Sequence, residues 1–280
     1  MLVICPTPIG NLDDVTPRQR EALTSADIIA CEDTRRAGKL LELLGIARSD
    51  GRPKLWRYDD HTARDRADEI ADAVENGNTV VLTSDAGTPT ISDPGYRLVR
   101  ACRQRDLEVT ALPGPAAAVV ALSGSGLATD RFYFEGFLPT SPERRRHRLE
   151  ELDRLHTTIV TYESPRRIIK ALDDVIEVCG PAREVCIGRE LTKLHEEFVV
   201  GSAERVRQKL EEQAPVRGEI VLCIAGRPDT DKDDGWEQAD RAIVLLHDQG
   251  VRRRTIKDFV DEMFDIPRSQ IYDRIDQLVD

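Results

Sequence analysis

No apolar run in this 280-residue chain approaches the roughly 20 residues that a membrane-spanning helix needs. The start also lacks a basic segment followed by a short apolar core, since the first apolar run begins at Leu2. No secretory leader is therefore expected, nor a membrane partner, and the protein is expected to act in the cytoplasm. Paired cysteines are missing too. Cys5, Cys31, Cys102, Cys179, Cys186 and Cys223 occur singly, mostly inside apolar stretches. Without a C-x-x-C spacing they read as core thiols, with no metal site or disulfide framework expected. No G-x-G-x-x-G follows an apolar run and no P-loop is present, which disfavours a nicotinamide enzyme or a kinase. Positive charge is in deficit: with a net charge of −11, any nucleic-acid partner has to be met by a local basic patch.

What is present suits a globular protein, because 40% of residues are hydrophobic and glycine and proline are modest. The length suffices for two domains that each bury a core. From residue 1 to about 122, short apolar runs alternate with amphipathic stretches. Residues 3–5, 28–31, 80–82 and 109–112 read as strands, and 17–25, 37–44, 64–75 and 96–103 as helices. This alternation predicts an α/β fold with a largely parallel sheet flanked by helices. Thr16-Pro17 is a helix start and Gly45 a plausible stop.

A second α/β unit is expected from about 130 to 226, with strands at 158–162, 184–187 and 220–224. Residues 228–235, with Pro228, Asp229, Asp231, Asp233 and Asp234, read as an acidic linker. Beyond it the chain reads as helical. Ile256, Phe259, Val260 and Met263 recur at helical spacing, and Pro267 lies near the first turn of a helix bearing Ile271, Ile275 and Leu278. The expected division is 1–124, 125–227, 228–235 and 236–280, the first boundary resting on Gly124-Ser125-Gly126.

Three predicted strands run directly into loops of small residues. They are Pro6-Thr7-Pro8-Ile9-Gly10-Asn11, Ser84-Asp85-Ala86-Gly87-Thr88-Pro89 (closed by Ser92-Asp93-Pro94-Gly95), and Pro113-Gly114-Pro115-Ala116-Ala117. Backbone exposed at the carboxyl ends of strands, with a carboxylate among it, lets a polar small molecule approach closely. Taken alone, the Asp85 loop reads more readily as an ordinary turn with Asp85 as a helix cap and Gly87 supplying an unusual dihedral. Glu32-Asp33-Thr34-Arg35 leaves the strand at 28–31 toward the same edge, and it also reads as a helix start capped by Asp33 or Thr34. His61 follows Trp56-Arg57-Tyr58 and could place an imidazole at a strand end. The densest basic run is Arg144-Arg145-Arg146-His147-Arg148, with Arg166-Arg167 and Arg252-Arg253-Arg254 as lesser ones. Such runs are usually solvated helix faces, yet in so acidic a chain they are the candidates for contact with phosphates.

These motifs, in order, with Phe134-Glu135-Gly136-Phe137-Leu138-Pro139, Tyr162-Glu163-Ser164-Pro165, Arg189-Glu190-Leu191-Thr192-Lys193 and Gly218-Glu219, resemble the bacterial ribosomal RNA small-subunit methyltransferase I family of the tetrapyrrole methylase superfamily. The resemblance implies two α/β domains with S-adenosylmethionine folded compactly in the cleft between them, a helical C-terminal module, and a homodimer. By position it implies cofactor contacts at Pro8, Ile9, Asp85, Ala86, Gly87, Thr88, Ala116, Ala117, Tyr162 and Ala225. The implied reaction is methylation of a cytidine 2′-oxygen in small-subunit ribosomal RNA, on naked RNA or the assembled subunit. Glu32, His61, Glu163 or a neutral Lys193 could be the general base. Arg35, Arg144, Arg145, Arg146, Arg148, Arg166 and Arg167 are the candidate RNA contacts. The competing readings are a tetrapyrrole C-methyltransferase of the same superfamily and a non-catalytic RNA-binding ribosome assembly factor.

Overall fold

The computed structural model describes residues 1–48, 51–227, 236–264, 266 and 268–279. Met1–Arg227 form one compact unit and Pro228–Asp280 a second. The first unit contains two five-stranded sheets.

Sheet one comprises β1 (Leu2–Ile4), β2 (Ile28–Cys31), β3 (Lys54–Arg57), β4 (Val80–Leu82) and β5 (Val109–Ala111), in the order β3-β2-β4-β1-β5 and wholly parallel. Helices cover both faces, so its central strands are continuously apolar. Alternate residues go to opposite sides. Leu2, Ile4, Ile28, Ala30, Val80 and Leu82 pack beneath α3 (Ala63–Glu75) and α4 (Tyr96–Gln104). Val3, Cys5, Ile29, Cys31 and Val81 meet Leu23 of α1 (Pro17–Ser25) and Leu41 of α2 (Thr34–Leu43). Each fully buried aliphatic side chain contributes ~1.5–3 kcal/mol. A capping box starts α1, Thr16 accepting from the Gln19 N–H while Gln19 accepts from the Thr16 N–H.

Sheet two comprises β6 (Phe132–Phe137), β7 (Thr158–Glu163), β8 (Glu184–Arg189), β9 (Glu197–Ser202) and β10 (Ile220–Ile224), in the order β6-β7-β10-β8-β9. Only β6 and β7 pair in parallel. One face packs on α6 (Pro142–Asp153), α7 (Ile168–Cys179) and α8 (Ala203–Glu212). The other is covered by α5 (Ala117–Gly124), whose Ala118, Ala121 and Leu122 join Val160, Cys186, Val221 and Cys223 in one cluster with Ile9. The boundary expected at 124 thus falls after a helix that packs on the second sheet. All six cysteines are thiols, five of them buried.

In the second unit, α9 (Trp236–Asp248), α10 (Arg253–Met263) and α11 (Arg268–Val279) enclose their own core of Ala239, Ile243, Ile256, Val260, Ile271 and Ile275. The expected acidic linker at 228–235 and Pro267 lie outside the described residues. Among the described residues no helix is long and apolar enough to cross a membrane.

Candidate functional site

Because β4, β1 and β5 are neighbours and parallel, their three small-residue loops emerge side by side. Hydrogen bonds tie them together. Thr7 and Gly87 exchange backbone bonds of 2.9 and 3.0 Å, and the Thr88 hydroxyl donates to the Pro115 carbonyl at 2.8 Å. The first loop also meets the second half of the unit. A Cβ on Gly10 would stand 2.5 Å from Lys193 Cγ, so only glycine lets the Lys193 stem cross there.

These loops form one wall of a cavity of about 430 Å³, within the usual size range of small-molecule sites. Ile9, Asp85, Ala86, Gly87, Thr88, Ala116 and Ala117 line it from the first half, and Tyr162, Glu163 and residues 219–221 from the second. The Tyr162 ring meets Phe134 and Phe137 edge-on, with centroids 5.1 and 5.5 Å apart, and its hydroxyl bonds the Ala118 backbone at the start of α5. Two expected cofactor contacts lie elsewhere. Pro8 lines a separate pocket of about 310 Å³ beside α2. Ala225 follows the carboxyl end of β10, whereas the cavity meets that strand at its start, at Glu219, Ile220 and Val221. Since β10 runs antiparallel to β7, its beginning is the end that lies beside Tyr162 and Glu163.

The Glu32-Asp33-Thr34-Arg35 segment divides between its two readings. Asp33 caps α2, accepting from the Arg35 N–H at 2.8 Å and pairing with the same residue's guanidinium. Glu32 lines the cavity and accepts from the Asp85 N–H at 3.1 Å. Burial raises its pKa above the usual carboxylate value; the Asp85 N–H works against this, and the charges of Asp85 and Asp60 add to it.

A carboxylate that the motifs did not single out also faces the cavity. Burial, then the charge of Glu32, pushes Asp93 up to about 7, despite a hydrogen bond from Ser84; Asp85 and Asp60 push in the same direction. Its loop is strained. Thr90 and Ser92 hold φ of 77° and 61° without being glycine, each costing ~1–3 kcal/mol. Opposite, β6 carries an irregularity between Phe134 and Gly136, and Gly136 has φ +73°. A Cβ there would come within 3.1 Å of Ser92 Oγ, so the bulge of β6 and the strained loop meet at the cavity rim.

The other candidate bases fare differently. Glu163 lines the cavity at 3% exposure, but both its oxygens are engaged, by the Ser164 N–H at 2.6 Å and by Arg167 at 3.0 Å. Burial acts to lower the pKa of Lys193, but its bonds to Glu190 and Glu219 at 2.9 and 3.0 Å hold it above the usual lysine value. It is an ammonium at neutral pH, not the neutral amine a base requires. His61 is exposed in the turn before α3, outside the cavity lining.

The basic run does not form one face. On α6, Arg145 shares a side with Leu149 and Leu152, is 3% exposed, and bonds buried Asp174 at 2.5 Å. Arg146 reaches Asp174 and Glu177, and Arg148 reaches Glu135 and Glu151, both at 2.7 Å. Arg167 ties Glu163 to the Leu138 carbonyl. The fold buries Arg145, contrary to the phosphate role expected of it, while Arg146, Arg148 and Arg167 are partly exposed and engaged in ion pairs. Arg35 is exposed but paired with Asp33, while Arg144 and Arg166 are exposed and make no ion pair among the described residues.

A profile of the Tetrapyrrole (Corrin/Porphyrin) Methylases matches residues 1–207. A Vibrio cholerae protein named Ribosomal RNA small subunit methyltransferase I is 42% identical over 247 residues, spanning 88% of this chain and 84% of its own. A Synechocystis protein of the same name is 40% identical over 273 residues, spanning 97% and 96%. Among solved structures, the uroporphyrin-III C-methyl transferase of Thermus thermophilus complexed with S-adenyl homocysteine superposes with a TM-score of 0.55. That alignment covers 80% of this chain and 96% of the other at 15% identity, a likeness of fold alone.

Proposed function

Because the chain belongs to the tetrapyrrole methylases and, within them, to the ribosomal RNA small-subunit methyltransferase I family, we propose that it uses S-adenosylmethionine to methylate the 2′-oxygen of a cytidine in small-subunit ribosomal RNA. The observation that carries the reading is the acid-lined cavity beneath three interlocked strand-end loops. Its chemistry suits the cofactor. Ile9, Tyr162 and Val221 offer apolar surface to a purine, while Glu32, Asp85 and Asp93 suit a molecule bearing a sulfonium and an amino group. At the start of α5, where Ala116 provides no side-chain cap, Tyr162 meets the Ala118 N–H and the Ala117 N–H is left for an oxygen ligand. When bound, S-adenosylmethionine supplies a methyl group already activated on a cationic sulfur.

The chain's task is then to position a weak nucleophile and accept its proton. Asp93 is the carboxylate best suited to that acceptance, with Glu32 as the nearby alternative. Glu163 and Arg167 hold the end of β7 against the cavity and are positioning groups. The test incubates the protein with labelled S-adenosylmethionine and either naked ribosomal RNA or assembled small subunits, followed by alkaline hydrolysis. A 2′-O-methyl nucleotide resists alkali because the attacking hydroxyl is blocked, so label in an alkali-resistant dinucleotide is expected. Label in an alkali-labile mononucleotide or on a tetrapyrrole overturns the assignment, and absence of cofactor binding favours an assembly factor. The family membership also supports a homodimer, which light scattering on the full chain tests.

A further inference from the structure

Five carboxylates line the cavity, those of Glu32, Asp85, Asp93, Glu163 and Glu219, and no Lys or Arg does. Arg36, Arg167 and Lys193 pair with Asp85, Glu163 and Glu219 from outside the lining. The space itself therefore offers a phosphate no cation and suits the uncharged base and ribose of a nucleotide better. The interior wall is already suited to the cofactor, yet the rim carries apolar surface that the fold leaves bare. Phe137 is 59% exposed and Ile91 is 42% exposed, and both line the cavity. Each sits on distorted backbone: Phe137 follows the positive-φ Gly136 of β6, and Ile91 lies between Thr90 and Ser92 in the strained loop. The two segments meet where Gly136 faces Ser92. The edge-on contact with Tyr162 fixes the tilt of the Phe137 ring while leaving it accessible. Beside Pro165, another lining residue, Arg166 stands exposed without an ion pair among the described residues.

We propose that Phe137 and Ile91 form a platform for the target nucleobase of an unpaired RNA nucleotide, which stacks on Phe137 while its flanking phosphate remains outside the cavity near Arg166. The inference rests on the ribosomal RNA reading and adds how the substrate is seated. Enzymes acting on a single nucleotide withdraw it from its neighbours, and an aromatic face replaces the lost stacking. Asp93, two residues from Ile91, would then lie next to the ribose of the seated nucleotide.

The test compares Phe137→Ala and Phe137→Trp with the wild-type full chain. The alanine variant should lose roughly ten- to hundredfold in kcat/KM on small subunits, mainly through KM, whereas tryptophan should stay within about threefold. Calorimetric affinity for S-adenosylhomocysteine should be the same in all three. A separate readout uses a short single-stranded RNA carrying pyrrolocytidine, a cytidine analogue whose fluorescence is quenched by stacking, at the target position between weakly stacking uridines. Quenching should occur with wild type and Phe137→Trp and be lost in Phe137→Ala. Wild-type kcat/KM in Phe137→Ala, or undiminished quenching, overturns the proposal. A parallel fall in S-adenosylhomocysteine affinity also overturns it, placing Phe137 in the cofactor wall. If wild type methylates no ribose but the quench still depends on Phe137, the reaction reading fails and the platform stands.

Discussion

Replacing Asp93 with asparagine keeps the size of the side chain and removes its capacity to take a proton. With the carboxyl group at about 7, wild-type single-turnover rates should rise about tenfold per pH unit well below that value and level off above it. A positioned base is worth roughly 10²–10⁴ in rate, so Asp93→Asn should fall by that factor on the plateau and lose the limb near 7. The assay is single-turnover methylation of small subunits at constant ionic strength, with the cofactor saturating at every pH. Asp93→Asn within about threefold of wild type and with an unchanged limb would refute the assignment. A limb that persists at a lower pH in a slowed variant would assign the proton to Glu32, relieved of its neighbour's charge.

Stability supplies an independent reading of the same group. Unfolded, Asp93 titrates near 3.8; folded, it titrates near 7. Between these values the native state binds the extra proton, so the group's contribution to stability falls as pH rises and is fully adverse above the folded value. A shift of this size corresponds to about 4 kcal/mol if fully realised. Partial exposure to solvent screens it to ~1–2 kcal/mol. Asp93→Asn should therefore match wild type near pH 4 and exceed it by that amount above neutrality in urea melts, the opposite of what a structural carboxylate would show.

Arg145→Ala should destabilise the protein by ~3–5 kcal/mol in urea melts, since it strands Asp174 without its buried partner. Arg144→Ala with Arg166→Ala should leave stability alone and flatten the salt dependence of RNA binding by about 0.7–0.9 log units for each phosphate deprived of its arginine. Ala117→Phe, which projects a ring into the cavity from the start of α5, should abolish S-adenosylhomocysteine binding in calorimetry while the protein still melts cooperatively. A chain ending at Arg227 should fold and bind S-adenosylhomocysteine, because the residues beyond it hold a separate core; loss of that binding would show that the helical unit supports the site.

The strands most legible in the sequence were those buried on both faces. In β1, β2, β4, β7, β8 and β10, apolar residues follow one another because helices or loops cover either side. β3, β5, β6 and β9 are edge strands with partly exposed patterns, and of these only β5 stood out in the sequence, by its place in the strand–helix alternation. Their ladders depend on neighbours that sequence periodicity does not reveal. α5 was obscured in a different way: its sequence is almost wholly apolar, with no polar face to mark a helix, because it packs on sheet two among Val160, Val221 and Cys223. A segment of that kind resembles a linker of small residues until its partner is known.

At the site, spacing revealed which loops would meet but not the chemistry their meeting creates. Ser92-Asp93-Pro94-Gly95 has the composition of an ordinary turn. Asp93 becomes unusual only because Glu32, from the end of β2, and Asp85, from the end of β4, converge on the same cavity. Glu32 stands 53 residues before Asp85 in the chain yet shares one electrostatic environment with Asp85 and Asp93, and no local pattern encodes that. The arginine run fails for the opposite reason, since helical spacing was available there. Arg145 stands four and seven residues before Leu149 and Leu152, so an α-helix puts it on the apolar face and requires a buried acid to meet it. Counting charge along the chain treats the run as one patch. Turning it about the helix axis separates the buried Arg145 from the exposed Arg144, which among the arginines of that run is exposed without an ion pair among the described residues.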